Sequence, residues 1–317
     1  MAVAIVLGGT AGVGRAVVER LALEGYQVGV AARGADRVAA LDGAFDGRVR
    51  AVTADVADAE GLEAAVGRLV ADIGTPDVFI NNAMATSFSP FEQMKADEFQ
   101  RVVDVTFLGQ VNGTRAALTH MNKGKIICVG SGLSYRSVPM QSAYCAAKHA
   151  INGFVSSVRS ELIRKKSDVT IHLVQLPAIN TPQFDWARHR FRKAPQPAPP
   201  IFSPDVAAEA VLRVIGKGWR EAFVGTSVLK LIFGNFVLPN WLDRKMASDG
   251  AEMQKSDEPD APQSGNLFEP VQQKGSAEGS YSDRAKSDGL IIDGDLARKV
   301  VFFGGAAAIF FLGMIVG

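Results

Sequence analysis

The sequence predicts an α/β fold, a doubly wound parallel sheet in one domain, followed by a polar tail and a terminal apolar helix. Three observations carry this. Residues 2–7 form a continuous apolar run, as a strand buried on both faces requires, and run straight into Gly8-x-x-x-Gly12-x-Gly14 and an apolar helical period over 15–23. Beyond it, short apolar runs alternate with helical periods to about residue 228, the pattern of a parallel sheet wound by helices. After residue 242 the composition shifts to Ser, Asp, Lys, Gly, Gln and Pro, and the chain then closes on an uncharged apolar stretch. The expected division is a domain over 1–242, a flexible linker over 243–299 and a membrane-spanning helix over 300–317.

A chain of 317 residues with a net charge of +1 gives no electrostatic reason to expect a nucleic-acid partner. Its two cysteines, Cys128 and Cys145, lack metal-ligand spacing and read as reduced structural residues, so no metal site is expected. The N-terminus lacks the basic region of a signal peptide.

Strand, glycine loop and helix at the start make a phosphate cradle. Glycines allow a tight turn and close backbone approach, while the helix N-terminus offers free N–H groups and a positive dipole end. The plainer alternative is a tight turn alone. Gly8, Thr10, Gly12, Val13 and Gly14 are the candidates there. The second strand, 27–32, ends at Ala32-Arg33. A free ribose 2′-hydroxyl meets an acid at this point, whereas a 2′-phosphate needs a cation. Arg33 therefore favours NADP(H) over NAD(H); Arg37 is either its helper or a solvated residue. The third strand, 49–54, ends in Asp55-Val56, where the carboxylate suits an adenine amino group or caps the helix over 59–73. The fourth, 78–80, precedes Asn81-Asn82-Ala83, whose amides can tie loops together beside a ribose. A long helix over 96–121 and a strand over 125–130 follow.

Ser131, Tyr144 and Lys148 come next. Tyr144 and Lys148 stand four apart, on one helix face, and Ser131 precedes them across a loop. An unperturbed phenol titrates near ~10, and a neighbouring cation lowers it toward neutral pH. A serine hydroxyl can hold a substrate oxygen against that phenol. Isolated, a Tyr-x-x-x-Lys pair is more often a chance pair on a solvated helix face.

Taken together, Gly8-x-x-x-Gly12-x-Gly14, Asp55, Asn81-Asn82-Ala83, Ser131 and Tyr144-x-x-x-Lys148, in this order and spacing, resemble the short-chain dehydrogenases/reductases over residues 3–228. The resemblance implies a Rossmann fold. It also implies Tyr144 as general acid in reduction, Lys148 lowering its pKa and holding the nicotinamide ribose, and Ser131 orienting the carbonyl. Asn82, Ala83, Val56, Ile179 and Thr181 would border the cofactor. Three positions depart from the family pattern: Thr106 stands where a relay asparagine is usual, Leu176-Pro177 replaces Pro-Gly, and Met84 replaces glycine. A homo-dimer or homo-tetramer is a further implication.

On the substrate side, 182–202 reads as a lid carrying Phe184, Trp186 and Phe191, stiffened by prolines between Pro195 and Pro200. The aromatics equally suit core filling. His189, among Arg188, Arg190 and Arg192, reads as a solvated or headgroup-facing patch. Ser203-Pro204-Asp205 opens a helix, 221–227 a last strand, and the apolar 228–242 either packs beside the lid or lies on a bilayer. Arg298-Lys299 precede 300–317, which at ~1.5 Å per residue reaches about 27 Å, enough to cross a hydrocarbon core. The flanking cations favour a catalytic domain on the cytoplasmic side. A docked helix is the rival. The expected function is an NADP(H)-dependent oxidoreductase interconverting a lipophilic carbonyl and an alcohol. The alternative is a membrane-tethered NADP(H) sensor with little turnover.

Overall fold

Apolar strands buried on both faces stack side by side into one central sheet. In spatial order its strands are Ile291–Asp293, Glu221–Val224, Asp168–Leu176, Lys123–Ser131, Val78–Asn81, Val3–Leu7, Gln27–Ala32 and Val49–Thr53. The computed structural model describes residues 1–304. Seven of these strands run parallel, and Ile291–Asp293 alone is antiparallel. Val3–Leu7 sits at the centre: Val6 lies opposite Val30 on one side and Ile80 on the other. The winding direction reverses between Val3–Leu7 and Val78–Asn81, and such a switch point opens a crevice at the strands' carboxyl ends.

Helices cover both faces. Gly12–Leu23 and Pro204–Lys217 lie on one, burying Val17, Leu21, Val206 and Val211. Ala59–Ile73 and Ser142–Arg164 lie on the other, burying Leu62, Val66, Ile151 and Val155. The long helix expected over 96–121 is interrupted: α-helical Ala96–Val103 passes through a π turn, Asp104–Leu108, into α-helical Gly109–His120. Such turns change which side chains face inward.

Two expectations need correction. His189 is not solvated. It is buried and its Nε2 pairs with Asp260 at 3.1 Å, while Arg188 and Arg190 both pair with buried Glu98 at 2.6 and 2.7 Å. The strand Arg188–His189 pairs with Ser87–Phe88, so backbone pairing draws the basic run inward. The second correction concerns 243–299, expected to be a flexible linker. Lys255–Pro259 pairs with Lys193–Pro195, Ile291–Asp293 extends the central sheet, and Leu267 is fully buried. What holds this polar segment is backbone hydrogen bonding and ion pairing, which hydrophobic periodicity does not report.

The apolar 228–242 becomes two helices, Gly225–Val237 and Pro239–Lys245. Val228 and Ile232 pack against Phe223 and Ala297, whereas Phe236 at the elbow is 83% exposed. Residues 294–304 are helical, and residues 305–317 of the expected terminal span lie outside the described residues. Among the described residues no helix is long and apolar enough to cross a membrane.

Candidate active site

At the sheet's carboxyl edge lies a cavity of about 750 Å³. The glycine loop lines it through Gly8, Thr10, Gly12 and Val13. Gly8 has φ +78°, and a Cβ there would lie 2.8 Å from Ala83 Cα. A Cβ on Gly14 would lie 2.1 Å from the Gly8 carbonyl oxygen, so Gly14 serves close packing and does not line the cavity. Asn82 Nδ2 donates to that same carbonyl at 3.0 Å, tying the fourth strand's end to the loop as its position suggested. Thr10, Gly12, Val13, Asn82, Ala83, Ile179 and Thr181 all line the cavity.

Ser131, Tyr144 and Lys148 line the same cavity. Ser131 ends its strand, and its N–H donates to Gln175 Oε1 at 2.8 Å while its Oγ accepts from Leu133 N at 3.1 Å. One turn separates Tyr144 from Lys148, whose Nζ lies 5.6 Å from the phenol ring centroid. Buried Lys148 donates from Nζ to the Val129 carbonyl at 2.7 Å.

The electrostatics reverse the expected order. Burial pushes the Tyr144 phenol above its ordinary value, and the Ser131 hydroxyl offsets only part of this. Burial brings the Lys148 ammonium down to about 8. Desolvation is the largest influence on both groups, and the phenol keeps its proton across neutral pH.

Thr106 is not brought to the site. Its Oγ1 donates to the Ala85 carbonyl at 2.8 Å and accepts from the Ala85 N–H at 2.9 Å, which commits its only proton. One turn later, Gln110 Nε2 donates to the Val129 carbonyl at 3.0 Å, the acceptor that Lys148 also uses. Gln110 and Gln175 were not singled out from sequence; polar residues amid apolar helix and strand faces are the only signal of them.

At the cavity's other end, Val56, Asp55 and Arg33 are present, with their polar groups engaged. Asp55 pairs with Arg101 and accepts from Ala57 N at 3.0 Å. Arg33, expected to await a phosphate, donates to the backbone carbonyls of Asn266, Leu267 and Phe268 at 2.7, 3.3 and 3.0 Å. Phe88, Phe184 and Trp186 also line the cavity, the Phe88 and Phe184 rings 5.9 Å apart and the Trp186 ring 5.1 Å from the Arg37 guanidinium. Leu231, Trp241, Leu242 and Met246 line it too. A glycine-floored cleft reaching from a cationic strand end to a phenol, an ammonium and a hydroxyl fits a dinucleotide with a small apolar molecule beside it.

Comparison with known proteins agrees. Residues 2–190 match the profile of the family described as short chain dehydrogenase. The chain is 28% identical over 270 residues to the Bacillus subtilis uncharacterized oxidoreductase YxnA, covering 82% of this chain and 75% of the relative. Among solved structures it resembles an alcohol dehydrogenase from the archaeon Thermococcus sibiricus complexed with 5-hydroxy-NADP, with TM-score 0.57 and 26% identity over 68% of this chain and 91% of the other. It also resembles an actinorhodin polyketide ketoreductase with NADPH, with TM-score 0.60 and 25% identity over 68% and 91%.

Proposed function

We propose that this chain, which belongs to the short chain dehydrogenase family of oxidoreductases, interconverts a lipophilic carbonyl and its alcohol with NADP(H). The observation that carries the reading is the meeting of Ser131, Tyr144 and Lys148 in one buried cavity with the glycine loop. The family acts on small-molecule carbonyls or alcohols with a nicotinamide cofactor; the cofactor, when bound, supplies or accepts the hydride. Ser131 Oγ holds the substrate oxygen against Tyr144. The protonated phenol then gives its proton to that oxygen as the alcohol forms, and takes it back in oxidation. Lys148 stays charged below about pH 8 and favours the phenolate left behind. Gly8, Thr10, Gly12, Val13, Asn82, Ala83, Ile179 and Thr181 would hold the cofactor, with Arg33 toward its 2′-phosphate.

Phe88, Phe184, Trp186 and Trp241 support an apolar substrate, since they offer little to satisfy a polar one. The uncharged run 300–317 supports a tether to a membrane, with the catalytic body on its cytoplasmic side. Association into a homo-dimer or homo-tetramer is proposed by family likeness alone. The test is a panel of ketones and aldehydes of increasing apolar length with NADPH. Expected are kcat/KM values that rise with apolar length, and an Arg33→Ala variant that loses its preference for NADPH over NADH. Absence of turnover with every carbonyl and alcohol, with either cofactor, would overturn the reading.

A further inference from the structure

Residues 265–279 lie across the donors that a dinucleotide's phosphates would use. Arg33 meets three of their carbonyls, as described. Arg37 donates to the Gln273 carbonyl at 3.1 Å and to that of Val271. In the glycine loop, the Gly12 N–H donates to the Ser276 carbonyl at 2.8 Å. Arg101 Nε, beside Asp55, donates to the Leu267 carbonyl at 3.2 Å. To these three arginines and the loop amide the segment presents acceptors only, which is how a phosphate would meet them.

Its sequence is built for this close approach. A Cβ on Gly275 would lie 2.3 Å from the Thr10 carbonyl oxygen, and one on Gly279 would lie 2.5 Å from that of Thr181. Gly265, at φ +56°, would meet the Trp186 carbonyl oxygen at 2.3 Å. Asn266 N–H anchors to the Trp186 carbonyl at 2.8 Å, and the Trp186 ring lies 5.1 Å from the Arg37 guanidinium, so the strap is also tied to the aromatic residue beside that cation.

We propose that residues 265–279 are an internal competitor for the cofactor's phosphates, and that a 2′-phosphate is what displaces them. The proposal rests on the cofactor reading above. Carbonyl oxygens and phosphate oxygens both accept, so the same N–H groups cannot serve both. A dianionic phosphate forms the stronger, charge-assisted bonds and wins the exchange at Arg33 and Arg37. A nucleotide lacking it has weaker means of opening the strap. The segment therefore sharpens selection for the 2′-phosphate and couples cofactor entry to movement at Trp186.

The test titrates adenosine 2′,5′-bisphosphate and adenosine 5′-monophosphate into the full chain and into Gly275→Val/Gly279→Val, by calorimetry. Hydrogen exchange of residues 264–282 is followed with each nucleotide. The double substitution lifts the strap; it is expected to tighten both nucleotides, the monophosphate by about tenfold or more, the worth of one charge-assisted bond. In the unsubstituted chain the bisphosphate is expected to speed exchange across 264–282 and the monophosphate to leave it unchanged. Slower exchange with bisphosphate, or weaker binding in the variant, would make the strap a cover that closes over the nucleotide and overturn the proposal. Equal affinities in both chains would overturn it as well, while leaving the cofactor reading intact. Failure of both nucleotides and of NADPH to bind either chain would remove the cofactor reading and the proposal with it.

Discussion

Tyr144 and Lys148 differ from what their spacing implies in a way that decides the chemistry. With the phenol raised and the ammonium lowered to about 8, the group that titrates near neutral pH is Lys148. The kcat/KM for NADPH, which reports free enzyme, is therefore expected to fall as pH rises through about 8. A limb that instead follows a group titrating well above 10 would assign it to Tyr144. The stability consequence has the opposite sign. A lysine whose folded pKa lies below its unfolded value binds fewer protons when folded, so it costs stability at neutral pH and the cost fades from about pH 8 to 10.5. Lys148→Met should raise Tm at pH 7 and lose that gain near pH 10.5, because Gln110 still serves the Val129 carbonyl. An unchanged or lowered Tm at pH 7 would contradict it. The trio itself was legible from order and spacing. The pKa order was not, since burial of both groups is set by elements far apart in the chain.

Elements divide in the same way. Strands such as Gln27–Ala32 were readable because burial on both faces leaves a pure apolar run. Ile291–Asp293 was not, because a three-residue edge strand in a polar stretch carries no periodicity. What fixes the chain beyond that strand is a buried carboxylate. Glu221, 1% exposed, accepts from Tyr135 Oη at 2.6 Å and Gln175 Nε2 at 2.8 Å, and pairs with Arg298. Gln175 in turn accepts from Ser131 N–H, so the helical 294–304 is linked to the catalytic strand end through two side chains. Glu221→Ala strips acceptors from three donors at once and is expected to cost about 3–5 kcal/mol. Urea unfolding checks this; a loss below about 1 kcal/mol would show that the cluster is relaxed by water.

At the scale of the whole molecule, the doubly wound sheet was legible from alternation alone, and the crevice at its switch point follows from topology. Of the expected site residues, Thr106 and Gly14 do not line that crevice: the π turn and the Ala85 backbone hold Thr106 away, and Gly14 packs against the Gly8 carbonyl. The folded-back tail was not found. Its glycines read as linker composition, yet three of them allow the backbone to touch that of Thr10, Thr181 and Trp186. Composition describes how a segment behaves alone, whereas this one is held by its carbonyls meeting Arg33, Arg37 and Arg101, which belong to the first hundred or so residues of the chain.

The central claim is that Tyr144 supplies the proton. It is tested most directly by Tyr144→Phe, with NADPH-dependent carbonyl reduction and NADPH affinity measured on the same preparation. The expected result is a fall in kcat of about 10²-fold or more, with affinity within about twofold, because only the transferred proton is removed. Turnover equal to that of the unsubstituted chain would contradict it.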